Sequence, residues 1–411
     1  MKILMMTTAY PPENLPWGVK FAELAAAWKQ RGHDVTVLTG YPHWPEGKLH
    51  TGYRRRWVYV EEIDSIRVVR AWHFIPSRNS FFHRTLAFLT LGLSMRLAGR
   101  RHGPFDLVYA AIPPPTVATA AISIAGRFHC PSVLDIEDMH PDASIDSGFI
   151  TNPLLIALLR RQERWIYRHA TLLCPLGNHF FERLKEKGVP EKRLHRIWNW
   201  IDTDEVRPLP RVNGLRREWN IPEETFVVLY AGTMGRQHGT RVLIDAANRM
   251  REDRNILFLM VGMGVEREQN EQLAGELKLH NVQFHDFVPR SRLAELQALA
   301  DVSVVTLLPG RGHSSNPSKL LGYLAAERPV IAAVQDDCDT ASIMYEAECG
   351  IIVAPSDDEN LANLIDSVRN SPEKMKNWGK NGRKWVKKNA SLSGLGEMAE
   401  GILAAAIDLH E

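Results

Sequence analysis

Closely spaced cysteines are missing from this chain. Cys130, Cys174, Cys338 and Cys349 lie far apart and form no CxxC unit, which argues against a zinc ribbon and a secreted disulfide framework and fits a reducing cytoplasm. An excess of either charge is missing too. Fifty lysines and arginines against 48 aspartates and glutamates leave +2, so charge supplies no case for a nucleic-acid partner and none is expected. Long hydrophobic runs are also absent: Thr85 to Met95 is uncharged but falls short of the roughly 20 apolar residues of a membrane span. At the N-terminus, "MKILMMTTAYPPEN" is cut off by two prolines with no small-residue cleavage site, so it reads as a first strand and not as a leader.

What is present is the composition of an ordinary soluble protein, 45% hydrophobic and 24% charged. At 411 residues the chain exceeds the size at which one core stops growing, and two domains are expected. Short apolar runs alternate with helical patterns: "KILMMTTAY", a helix from about Val19 to Gln30, "HDVTVLTGY", "FDLVYAAI", a helix near Thr116 to Gly126, and "SVLDIED". The alternation restarts at "FVVLYAGTM" and runs through "ILFLMVGMG", "NVQFHDFV", "VSVVTLL", "PVIAAV" and "GIIVAP". Each half therefore reads as a doubly wound α/β domain with helices on both faces of a parallel sheet. The proline-, glycine- and charge-rich "NWIDTDEVRPLPRVNG" sets the boundary near Glu205, giving domains 1–205 and 206–391. The segment 392–411 has three-and-four apolar spacing and is read as a capping helix assigned to the first domain.

Ligands of open α/β sheets bind beyond the carboxyl ends of the strands, so the loops there are the candidates for chemistry. In "HSSNPSKLLGYLAAERPVIAA" a helix starts near Ser318. Its unpaired first-turn amides, with the Ser318 hydroxyl and the Lys319 ammonium, suit a phosphate, and Asn316, Pro317 and Leu320 complete the stretch. The turn "AGTMGRQHG" places Gly232, Thr233 and Gly235 for close backbone approach, with Arg236 and His238 supplying charge or hydrogen bonds. In the first half, Gly18 leads from a proline-rich loop into a helix. "LDIEDMHPDASIDSG" gathers Asp135, Glu137, Asp138, His140, Asp142 and Asp146 at a strand end, a pattern suited to acid–base work or hydroxyl recognition. Metal-ligand spacing is lacking there, and no bound metal is expected.

The stretches "GVPEKRLHRIWNWIDTDEVRP", "VVLYAGTMGRQHG", "FLMVGMGVEREQNEQLA", "NVQFHDFVPRSRLAELQALADVSVV", "PSKLLGYLAAERPVIAA" and "GIIVAPSDDENLANLI", in that order, resemble the nucleotide-sugar half of a family 4 retaining glycosyltransferase of the GT-B fold. "AYPPENLPWGVKFAELAAAWKQRGHDVTVLTGYPHWPEGKL" and "VLDIEDMHPDASIDSG" are similar to the branch that assembles bacterial O-antigen, capsule and exopolysaccharide, which includes L-fucosamine and colanic-acid transferases. The resemblance spans nearly the whole chain. It implies two Rossmann-like domains facing across a cleft, a UDP- or GDP-linked sugar donor, a lipid-linked or saccharide acceptor, retention of configuration, and no cofactor. It further implies that Gly18 faces the donor phosphates, that Asp138 lies near the transferred sugar, and that Phe287 and Val288 meet the base largely through backbone groups. Glu137 takes the position where many members have a histidine, and His140 is the nearby alternative catalytic group.

Two departures concern the donor. The paired glutamates of many relatives, eight positions apart, fall on Ser314 and Gly322, and Gly322 cannot accept a ribose hydrogen bond. The usual arginine and lysine after the "AG" turn become Thr233 and His238, with Arg236 as the substitute cation, which makes Ser318 and Lys319 the stronger phosphate ligands. For the acceptor, Arg54, Arg55 and Arg56 beside Trp57, and the apolar segment ending in Arg96, Arg100 and Arg101, suit the cytoplasmic face of an inner membrane. A sugar-nucleotide 2-epimerase of the same architecture and a non-catalytic partner subunit are the alternatives.

Overall fold

Strand and helix alternate from the second residue of the computed structural model, which describes residues 1–13, 15–76, 81–146, 150–310 and 318–411. The chain divides into one unit of Met1–Ile197 with Leu395–Glu411, and another of Trp198–Gly394.

The first unit opens with β1 (Lys2–Met6), α1 (Pro16–Gln30), β2 (Asp34–Gly40), β3 (Val58–Ile63), β4 (Ile66–Ala71) and α2 (Phe81–His102). It continues with β5 (Leu107–Ile112), α3 (Pro115–Phe128), β6 (Ser132–Ile136), α4 (Asp142–Asp146), α5 (Pro153–His169), β7 (Leu172–Pro175) and α6 (Gly177–Glu186). The sheet order is β3-β4-β2-β1-β5-β6-β7. Strands β5 and β6 are buried throughout, as a sheet covered on both faces requires. The expected parallel sheet carries one exception: β3 runs antiparallel to β4 through a tight turn in which Asp64 and Ser65 both take positive φ, at 50° and 62°.

Helix α1 starts at Pro16, earlier than the expected Val19, because proline is at home in a first turn. Gly18 therefore lies inside that first turn, packed on the backbone of Ala9. Helix α2 packs on α3, and α3 on α5. These three connect strands laid down in one direction across the sheet and α1 in the other, so the right-handed crossover rule puts them on opposite faces.

The second unit holds α7 (Gly214–Glu218), β8 (Phe226–Ala231), α8 (Arg241–Arg249), β9 (Ile256–Val261), α9 (Arg267–Glu276), β10 (Val282–His285) and α10 (Leu293–Ala298). Then come β11 (Val302–Thr306), α11 (Ser318–Ala325), β12 (Val330–Ala333), α12 (Asp339–Ala347), β13 (Gly350–Val353), α13 (Asp358–Arg369) and α14 (Pro372–Asn389). Its six strands are ordered β10-β9-β8-β11-β12-β13, with parallel pairing throughout. One apolar cluster lies on each side of the sheet, the first around Leu229, Leu259 and Tyr323, the second around Val228, Phe258 and Ile365.

The last helix, α15 (Leu395–Asp408), returns to the first unit and packs on α1. Trp28 Nε1 donates to the Ala399 carbonyl at 3.2 Å, and His33 Nε2 meets Glu400 at 2.9 Å. The units divide after Ile197, upstream of the expected Glu205. The reason is pairing: Ile201 N donates to Ala390 O at 3.0 Å, Leu392 N to Ile201 O at 2.9 Å, and Arg290 holds Glu205 at 3.0 Å, which tie residues 198–205 to the second unit.

Candidate functional site

Within the second unit, the turns after β8, β9 and β10 and the start of α11 meet at the carboxyl edge of the sheet. Gly262 lies so close to Gly232 that a Cβ on it would run into the Gly232 carbonyl oxygen. Both glycines take φ values, 146° and 150°, that side chains disfavour. A Cβ on Gly232 would in turn overlap Cε of Lys319. The glycines thus leave room for a lysine to lie across the backbone. Its Nζ donates to the Tyr230 hydroxyl at 2.8 Å and to the Thr233 carbonyl at 3.4 Å, while the Tyr230 hydroxyl donates to the same carbonyl at 2.7 Å.

No carboxylate is hydrogen-bonded to Lys319 among the described residues. Burial alone pushes its ammonium down from 10.5 to about 7. A cation so placed gains from any anion that arrives. Gly232→Ala is expected to displace Lys319 and weaken nucleoside diphosphate binding at least about tenfold, by loss of one charge-assisted contact. Equilibrium dialysis measures this, and unchanged affinity would refute the geometry.

Of the two roles expected of His238, charge or hydrogen bonding, its surroundings favour the second. Burial, then the neighbouring Lys319, lowers its pKa to about 4, so it is neutral at pH 7. Its Nδ1 accepts from Gly235 N at 3.3 Å, which leaves the proton on Nε2. Arg236 is exposed, and Thr233 takes part through its carbonyl. Phe287 is 54% exposed with its ring against Gly262, while Val288 packs partly on the core. Ser318 is exposed at the first residue of α11. Leu320 is fully buried and its side chain packs in the core. Asn316, Pro317 and Ser314 lie outside the described residues. Gly322 is buried with the Gln297 side chain and Ile201 as its neighbours, so that position is packed rather than open.

In the first unit the acidic strand end contains a cation that the sequence reading passed over. Lys20, on α1, is enclosed between Asp135, at 3.2 Å, and Glu137, which its Nζ contacts directly. Burial opposes the ammonium, but the two carboxylates outweigh it and hold Lys20 above its usual range. Burial pushes Asp135 up to about 6 against the pull of Lys20, with Glu137 adding to the rise. Tyr109 donates to Asp135 Oδ2 at 2.7 Å. Glu137 is therefore committed to an ion pair.

Burial raises Asp138, against a backbone hydrogen bond from Met139 and the charge of His140. His140 is lowered by burial; its Nε2 meets Ser144 Oγ at 3.3 Å, and it lines a void of about 10 Å³ against α5 with Glu163 and Tyr167. Asp138 and His140 are adjacent through the chain, His140 N donating to Asp138 O at 3.1 Å.

A cavity of about 530 Å³ opens beside the loops after β1, β2 and β4 of this unit. Trp17, Trp44, Phe88 and Leu91 form apolar walls; Thr8, Glu13, His43, Glu46, His73 and Arg84 are the polar side chains. Glu13 is buried, yet satisfied: it accepts from the His43 and Trp44 amides at 2.8 Å each. Fully buried Arg70 ties the loops down, donating to the carbonyls of Gly40 and Pro11 and pairing with Glu61. Indole walls with a few fixed polar groups suit a sugar ring or an apolar chain. Arg54, Arg55 and Arg56 are exposed ahead of β3, and Trp57 stacks on Trp72 at 6.1 Å. Among the described residues, no group of three or more His, Cys, Asp or Glu side chains is arranged to hold a metal ion. No helix among them is long and apolar enough to cross a membrane.

Two Rossmann-like units, the second with a glycine-lined cation at its strand ends, define the GT-B class of α/β proteins. Residues 18–200 match the glycosyl transferase 4-like domain and residues 213–385 the glycosyl transferases group 1 model; the chain belongs to the group 1 glycosyltransferases. It is similar to WcaI of Escherichia coli K12, named as a glycosyl transferase of colanic acid biosynthesis, with 26% identity over 79% of this chain and 81% of that protein. Among solved structures, sucrose-phosphate synthase from Thermosynechococcus elongatus superposes with a TM-score of 0.73 at 18% identity, covering 99% of both chains. HepE of Anabaena, in complex with UDP, also gives 0.73, at 16% identity over 98% of this chain and 100% of that one. These two likenesses concern the fold.

Proposed function

We propose that the protein transfers a sugar, with retention of configuration, from a UDP- or GDP-linked donor to a lipid-linked or saccharide acceptor in the building of a cell-surface polysaccharide. The observation that carries this reading is the desolvated Lys319 at the glycine-lined strand ends. A diphosphate beside it would restore the lysine's charge, and the first-turn amides of α11 would add their dipole. Both act on the leaving group as charge develops on it. Departure of the diphosphate with attack by the acceptor hydroxyl on the same face needs no covalent nucleophile, and Glu137, paired with Lys20, is poorly placed to be one. The colanic-acid relative supports the polysaccharide context, and the UDP-bound neighbour supports a nucleoside diphosphate donor. The cavity beside Trp17 and Trp44 is the acceptor candidate.

Thermal shift against UDP, GDP, dTDP, CMP and their sugar conjugates tests the donor half. One nucleoside diphosphate is expected to stabilise the protein by about 2.7 kcal/mol at a hundred times its Kd. No shift with any of them, in folded protein, would sink the reading and favour a partner subunit. Proton NMR of the product's anomeric centre tests retention; an inverted product refutes that part.

A further inference from the structure

We infer that the outer layer of the first unit, formed by α2, α3 and α5, is a docking face for an anionic lipid bilayer. The charge distribution is the first reason. The whole chain is nearly neutral at +2. Yet α2 carries four arginines, α3 one and α5 four, all exposed, and none of the three helices contains a lysine. Their one carboxylate, Glu163, is buried and paired with Lys187 at 2.8 Å. No exposed acid on these helices offsets the arginines.

The second reason is apolar exposure on the same layer. On α2, Leu89, Leu93 and Leu97 recur at four-residue spacing, so they line one side of the helix, and Leu89 is 54% exposed. On α5, Leu154 and Leu158 recur likewise at 81% and 61% exposure, with Trp165 two turns further on. Arg161, Arg164 and Arg168 flank that indole. Because α2 packs on α3 and α3 on α5, all on one face of the sheet, both stripes point away from it. Aliphatic groups that reach the acyl boundary, an indole at headgroup depth and long guanidinium arms that reach back to phosphates are what a bilayer surface rewards. A nucleic acid would use the arginines but leave Leu89, Leu93, Leu154 and Leu158 without a partner. The face therefore fits lipid better than phosphodiester.

This deepens the acceptor half of the proposed function and rests on it only for what the bilayer would carry to the enzyme. The test is co-sedimentation of the full chain with phosphatidylcholine vesicles, alone or with phosphatidylglycerol, without donor or acceptor. The protein is expected to bind the phosphatidylglycerol vesicles, to ignore the neutral ones, and to be released by high salt. Combined Arg161→Gln, Arg164→Gln and Arg168→Gln is expected to lower the bound fraction at least about tenfold. Leu154→Glu with Leu158→Glu is expected to do the same, with unchanged melting temperature because these side chains are exposed. Equal binding to neutral vesicles, no binding by the wild type, retained binding in either variant, or displacement by single-stranded RNA at equal phosphate with the leucine variant unaffected would each overturn the inference. Since no turnover is needed, failure here leaves the transferase reading intact, and failure of the donor screen leaves this one intact.

Discussion

Lys319→Ala is expected to remove the stabilisation by nucleoside diphosphate and to lower kcat/KM for transfer by roughly 10²–10³, the usual loss when one donor to a developing anion is deleted. The unliganded variant is expected to melt no lower than the wild type, because alanine also removes a desolvated cation. The signature that separates a phosphate ligand from a structural lysine lies in proton uptake. Burial holds Lys319 at about 7 in the free protein, so above that pH most of it is neutral. A bound diphosphate raises it again, and the complex takes up a proton. Affinity should therefore fall as pH rises above about 7 and be flat in this respect below it. Among the described residues that interact with Lys319, His238 is held at about 4 and Tyr230 is pushed well up by burial, so neither changes charge between pH 6 and 9. Calorimetry in buffers of different ionisation heat should find about one proton taken up near pH 8.5 and little near pH 6. Uptake that persists in Lys319→Ala would remove the lysine from the donor site.

Lys20→Met is expected to lower the melting temperature by roughly 10 °C. Breaking a buried pair by deleting one partner costs about 3–5 kcal/mol, and a domain of this size loses roughly 2–4 °C per kcal/mol. Asp135 is fully buried and Glu137 largely so, and without the ammonium each repels the other. The sign with pH follows. Burial holds the folded pKa of Asp135 above its unfolded one, and without the ammonium nothing lowers it, so stability is lost as pH rises through the folded value and regained below it. The deficit of Lys20→Met should thus be largest near pH 8 and shrink as pH falls below about 6, where burial already places Asp135 in the wild type. Glu137→Gln added to Lys20→Met should recover part of the loss. A melting curve identical to the wild type at pH 8 would show that solvent reaches the carboxylates.

Much of this arrangement could be read along the chain. The alternation of apolar runs and helical spacing marked both sheets, since a strand buried on both faces has to be apolar throughout, as "ILFLMV" is. The glycine-rich turn at Gly232 and the helix start at Ser318 were legible because glycine, and the proline before Ser318, have local conformational causes. Lys20 carries a sequence signal too: it sits four and eight residues before Leu24 and Trp28, on the buried stripe of α1. Asp135, a lone acid in the buried strand "SVLDI", was its complement. Tyr230 and Gly262 left none, because a tyrosine at a strand end and a glycine after a strand are ordinary until the element they support is known.

Local pattern, then, was enough for fold class, element order and the glycine-rich turns, all of which depend on forces acting over a few residues. Charge state, pairing and accessibility depended on long-range packing. Lys319 reads in sequence as a side chain suited to phosphate, but its fall to about 7 comes from burial, where it meets Tyr230, 89 residues away in sequence. Glu137 reads as a catalytic acid beside Asp138 until Lys20, 117 residues away, claims it. The arginines of α2 and α5 lie some sixty residues apart and form one layer because α3 lies between their helices. Desolvation and Coulomb energy are set by distance in space, and the chain brings such groups together only after the sheets have closed.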